Sequence, residues 1–200
     1  MSKARRNKIL DAAVNLAEEG GFDNVRQRDV AAHAGVALGT LYKSFRSKED
    51  LLSAALEREA EMLERRMENN PAKGDTALER VLAVFQIMTR ALCRKPNYAR
   101  AMLRAMASGV PEVALNVAGY QGRVNGLLIA AMRSVGRLGY AEVTASPPTE
   151  KESTLSFLLQ QLWFASLVGW SAGLFDHTAI MDQLKVAGEL LSRGLAPAKK

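Results

Sequence analysis

Apolar residues recur at three- and four-residue steps along most of the chain, and glycine and proline cut that pattern into pieces. A stripe with this spacing lies along one side of a helix and cannot match a pleated strand, whose side chains alternate with a period of two. The first piece, Arg5 to Glu19, places Ile9, Ala12, Ala13, Leu16 and Ala17 on one face and stops at Gly20-Gly21. A short piece, Gln27 to Ala34, ends at Gly35, and another of two turns runs from Leu38 to Phe45. Ser47-Lys48-Glu49-Asp50 then opens a long helix. Ser47 is placed to cap its free N–H groups, and the two acids sit at its positive dipole end.

Beyond a break at Asn69–Asp75, Leu78, Val81, Leu82, Phe85, Met88 and Leu92 continue the helical pattern. Pro96 and Gly109-Val110-Pro111 bound a shorter helix, and the next spans Glu112 to Val135. Gly136 to Thr149 is expected to be a loop. Glu150–Gly173 and Thr178–Gly194 form the last two helices. No stretch combines alternation with β-branched enrichment, so the expected fold class is all-α.

Composition narrows the functional classes. Cys93 is the single cysteine and His33 and His177 the only histidines, which excludes a disulfide framework and a Cys- or His-rich metal centre; no cofactor is expected. Lys3, Arg5, Arg6 and Lys8 lead straight into a helical pattern instead of a signal-peptide core. The most apolar run, Leu155–Phe175, is broken by Gln160, Gln161, Ser166 and Ser171. These features predict a cytoplasmic protein without a membrane partner.

The formal charge is +6, and its placement says more than its size. Between Arg26 and Lys48 five basic residues face one acid, Asp29. This is the segment in which two short helices joined at Ala34-Gly35-Val36 have helix-turn-helix spacing. Gly35 can take the positive φ of the turn, and Leu41 and Phe45 are expected to face inward. The second helix then suits a major groove, where base edges are legible to an α-helix. The candidate DNA-binding residues are Gln27 and Arg28 on the first short helix, Thr40, Tyr42, Lys43 and Ser44 on the second, and Lys48 at the start of the long helix. A phosphate would be drawn to Lys48 by its charge and by the helix dipole.

The run Ala34-Gly35-Val36, Gly39-Thr40-Leu41-Tyr42, Phe45 and Lys48-Glu49-Asp50-Leu51 resembles the signature of the TetR family of transcriptional regulators. Arg6, Ile9-Leu10-Asp11-Ala12-Ala13 and Gly20-Gly21-Phe22 resemble the first helix of that family. One departure is Ala37, where the family usually carries a capping serine. The resemblance implies a three-helix DNA-binding head, residues 1–48, and a larger helical ligand-binding and dimerisation domain, residues 49–200. It implies a homodimer on double-stranded DNA, paired through the last two helices, and a regulator in place of an enzyme. The apolar residues almost all round Glu150–Gly173 independently call for cover on two sides, one of them a partner subunit.

The ligand signal is softer. Phe85, Met88, Met102, Met106, Leu127 and Trp163 are candidates for lining a cavity, although ordinary core filling accounts for any one of them. From Arg80 to Arg137 nine basic residues accompany one acid, Glu112, a distribution suited either to a solvated face or to an anionic effector such as an acyl-CoA. Arg94-x-Pro96, Ala101-Met102-x-Arg104-Ala105, Leu162-Trp163 and Trp170 loosely resemble the steroid-catabolism, KstR-like branch of the family, which implies a steroid derivative as effector. The expectation is a repressor that binds a palindromic operator and is released by a small apolar or acyl-CoA-like molecule. The alternative is an effector-independent DNA-binding or architectural protein. An enzyme would have to rely on Cys93 beside Arg94 and Lys95, which can lower a thiol pKa, yet Cys93 falls on the core side of its helix.

Overall fold

The computed structural model describes residues 2–133 and 146–194. These form nine helices: α1 (Lys3–Asn24), α2 (Gln27–Ala34), α3 (Leu38–Tyr42), α4 (Lys48–Asn69), α5 (Ala77–Cys93), α6 (Pro96–Met106), α7 (Pro111–Met132), α8 (Glu150–Ser171) and α9 (His177–Gly194). The described residues contain no strand, in accord with the all-α expectation. The expected loop lies outside the described residues from Gly136 to position 145, as does Arg137. The chain divides into two compact units, Met1–Ala60 with Leu92–Gln121 and Glu61–Ala91 with Gly122–Lys200.

In the first unit α1 buries Ile9, Leu10, Ala13 and Ala17, the apolar stripe legible in the sequence. Its helical path breaks at Gly20-Gly21, where Gly21 has φ of 72°, and resumes for one turn to Asn24. The glycine pair is therefore a kink, not the end expected of it. Helix α2 does end where its sequence says. Gly35 takes φ of 63° and ψ of 39°, so its N–H reaches Ala32 O at 3.2 Å while Val36 N–H reaches Ala31 O at 3.0 Å. That pair of reversed bonds closes the helix and aims the chain into the next one.

Helix α3 stops three residues earlier than its pattern suggests. Ser44 N–H and Phe45 N–H both turn back onto Leu41 O at 2.9 Å, tightening the last turn so that the Phe45 ring is driven into the core, 1% exposed. Ala37 at the start of α3 makes no side-chain cap, as its identity requires. The start of α4 is capped in both directions. Ser47 Oγ accepts from Asp50 N–H at 3.1 Å, and Asp50 Oδ2 accepts from Arg46 N–H at 3.0 Å.

Helix α6 is fixed to α1 at its N-terminus. Glu18 Oε2 accepts the Tyr98 N–H at 3.0 Å, and Asn97 Nδ2 donates to Glu18 O at 3.0 Å. A carboxylate thus satisfies the positive end of a helix that proline starts. The same unit half-buries Glu59 and buries the Tyr98 hydroxyl. Burial pushes both pKa values up, and the Glu59 charge raises that of Tyr98 further.

The core of the second unit is set by α5 and α8. Phe85 and Trp163 lie with ring centroids 5.8 Å apart, and Trp163 Nε1 donates to Thr89 Oγ1 at 2.9 Å. The indole N–H is thereby satisfied inside an apolar surround. Ser166 on α8 donates to Gln183 on α9 at 2.6 Å. Thr149 caps α8 with Glu152 reciprocating, and the Arg133 guanidinium grips both Glu152 oxygens at 2.8 Å. Those Arg133 bonds, with help from Thr149, hold the Glu152 carboxyl down to about 2. Its ordinary value is 4.5, so unfolding takes up a proton as the medium acidifies. The stabilisation is complete above the ordinary value and fades as pH falls towards 2. Glu152→Gln is expected to lower stability by on the order of 1 kcal/mol at pH 7 and to flatten the acid limb of the stability curve, measured by urea unfolding between pH 7 and pH 2.

Candidate nucleic-acid interface

A five-residue helix has too few internal bonds to hold itself, so α3 is positioned by what lies beneath it. Leu41 is 0% exposed and Phe45 1%, and the Arg6 guanidinium covers the Phe45 ring at 5.0 Å. The Phe45 carbonyl accepts from Gln27 Nε2 at 3.0 Å. Helix α2 thus braces the end of α3, while the Gly35 turn sets the angle between them.

The polar candidates differ in how far this packing exposes them. Arg28, Tyr42 and Lys43 are exposed, Tyr42 at 53%, and Thr40 is half-buried. Ser44 is also half-buried, its Oγ donating to Thr40 O at 3.3 Å. Gln27 and Lys48 likewise have partners within the fold. Gln27 is the brace just described. Lys48 Nζ donates to Phe22 O at 3.4 Å and to Asp23 Oδ1 at 3.5 Å, and lies 4.0 Å from the centre of the Phe22 ring. Sequence reasoning missed this second cluster altogether. Asp23 also accepts from Arg104 Nη1 at 3.1 Å, and Arg104 covers the same ring at 4.2 Å. No local signal marks it, because 81 residues separate Asp23 from Arg104.

The ligand candidates are distributed over both units. Met102 and Met106 belong to the first; Phe85, Met88, Leu127 and Trp163 belong to the second. All but the half-buried Met106 are buried. Cys93 is half-buried, and that burial pushes its thiol up, away from the nucleophilic thiolate that a basic neighbourhood would favour.

A buried-core head that turns two short helices through Gly35 and presents Arg28, Tyr42 and Lys43 defines a helix-turn-helix DNA-binding protein. Residues 9–55 match the family described as "Bacterial regulatory proteins, tetR family", and residues 74–191 match "Tetracyclin repressor-like, C-terminal domain". The chain is 35% identical over 189 residues to the HTH-type transcriptional repressor KstR of Rhodococcus jostii, covering 94% of this chain and 83% of that protein. A TetR transcriptional regulator from Rhodococcus sp. RHA1 superposes with a TM-score of 0.78 at 25% identity, over 98% of this chain and all (100%) of that one. FadR of Thermus thermophilus, a TetR-family repressor solved in complex with lauroyl-CoA, superposes with a TM-score of 0.73 at 18% identity, over 98% and 97% of the two chains. This chain belongs to the TetR family and is a DNA-binding transcriptional repressor, not an enzyme.

Removing the brace should unsettle the head without touching its exposed surface. Gln27→Ala is expected to cost about 1 kcal/mol by leaving the Phe45 carbonyl short of a donor, read as a lower urea midpoint.

Proposed function

We propose that the protein acts as a homodimer on a palindromic operator and is released from it by a small apolar or acyl-CoA-like effector. The observation that carries this reading is the division of α8 into two apolar faces. Leu155, Leu159, Trp163 and Leu167 are buried, whereas Phe157 at 56%, Leu158 at 39% and Val168 at 43% remain exposed. Helix α9 adds Val186 at 59% and Leu190 at 62%. Large apolar side chains at helical spacing on two packed helices favour a second copy as their cover, because an isologous contact buries the same patch twice. Two heads then meet half-sites about 34 Å apart.

The division of labour that accompanies this reading is residues 1–48 for DNA and 49–200 for effector binding and pairing. Arg28, Thr40, Tyr42, Lys43 and Ser44 face the duplex, Gln27 supports them from behind, and Lys48 reaches a phosphate. Phe85, Met88, Leu127 and Trp163, all in the second unit, line the effector site. The effector class is supported by the FadR neighbour's bound lauroyl-CoA and by the KstR relative. No described helix is long and apolar enough to cross a membrane, so DNA and a diffusible effector are the partners to test.

Light scattering should give twice the chain mass, 21.8 kDa, and Phe157→Glu with Leu190→Glu should return it to one. Arg28→Ala and Lys43→Ala should each weaken binding to a selected operator and reduce the salt slope by about 0.9. A panel of fatty acyl-CoAs, lauroyl-CoA included, and CoA thioesters of steroid acids should contain a member that raises the melting temperature and releases DNA. If every member leaves both unchanged, the effector reading fails while DNA binding stands.

A further inference from the structure

We propose that Asp23 restrains DNA affinity by competing with the duplex for the ammonium group of Lys48. The inference deepens the assignment of Lys48 as a phosphate contact and rests on it.

Lys48 opens α4, a helix of 22 residues, and carries a charge to which a phosphate would be drawn there. Within the fold that charge is already engaged. Asp23 stands 3.5 Å from Nζ, the Phe22 carbonyl 3.4 Å, and the Phe22 ring 4.0 Å. Asp23 has a second cation at shorter range, Arg104 at 3.1 Å, whose guanidinium lies against the same ring at 4.2 Å. One carboxylate and one ring therefore serve two cations, and the closer hold belongs to Arg104. Both cations lower the Asp23 pKa, the Arg104 hydrogen bond most, so the carboxylate stays charged across the working range.

The geometry makes an exchange inexpensive. Asp23 is 77% exposed and its contact with Lys48 is long, so water compensates whichever group is released. When a phosphate arrives, Lys48 leaves Asp23, and Arg104 keeps the carboxylate partnered. Asp23 is a positioning residue in this scheme, acting on DNA only through Lys48. Arg104 sets how strongly Asp23 pulls. The two substitutions therefore act with opposite sign, which a purely structural cluster would not produce.

The test measures the affinity of the full-length protein for a duplex selected from random sequence by the wild type, across a salt series, with a random duplex at low salt as second probe. Asp23→Asn should tighten binding about two- to five-fold, by leaving Lys48 to the phosphate. Arg104→Met should weaken it by a similar factor, because Asp23 then turns wholly to Lys48. In a Lys48→Met background both effects should vanish. Asp23→Asn that weakens binding or leaves it unchanged overturns the proposal. So does a gain of equal size in the Lys48→Met background, which would reflect only the lost negative charge. If Lys48→Met alone changes neither affinity nor salt slope, the phosphate assignment beneath the proposal is what fails. Urea midpoints within error of the wild type separate these outcomes from unfolding.

Discussion

The head depends on the burial of two side chains, Leu41 and Phe45, beneath a helix too short to persist by itself. Five residues make few internal hydrogen bonds, and isolated helices of that length are unstable in water. Here the deficit is met from outside. Phe45 sits in the core with the Arg6 guanidinium over its ring, and Gln27 holds its carbonyl. The Gly35 turn fixes the angle at which α3 leaves α2. With the inward side chains pinned, Arg28, Tyr42 and Lys43 stay exposed. In the proposed reading these exposed charges act on DNA through their placement, so a modest net charge suffices.

The second unit applies the same rule at larger scale. Trp163 is anchored by ring packing on Phe85 and by a hydrogen bond to Thr89, so α8 has one face committed to its own core. Phe157 and Val168 on the opposite stripe are exposed among the described residues, and this is the face proposed for pairing with a second copy. The cap of α8 is reinforced by the ion pair between Arg133 and Glu152. That bidentate grip works best with the carboxylate charged and loosens in acid.

Much of this was legible in the sequence. The limits of α2 follow from its sequence, the inward orientation of Leu41 and Phe45 follows from their spacing, and Ser47 caps α4 as its position suggests. The family was recognisable from the run between Ala34 and Leu51. Other readings shifted for identifiable reasons. Gly20-Gly21 looked like a helix stop and proved to be a kink, because only Gly21 takes a positive φ and the chain regains a helical turn before Asn24. Helix α3 looked two turns long and ended sooner, because burying Phe45 tightens its last turn.

Periodicity, capping residues and the Gly35 turn act between near neighbours, so the sequence by itself determined the helices, the all-α class and the DNA-binding motif. The destinations of the polar groups were decided only in three dimensions. Gln27 reaches 18 residues to Phe45, Lys48 reaches 26 to Phe22, and Arg104 reaches 81 to Asp23. No local period records such contacts. A side chain that reads as a free cation along the chain is, once folded, shared between a ring, a carbonyl and a carboxylate, and in the proposed scheme its strength as a phosphate ligand depends on how readily they release it.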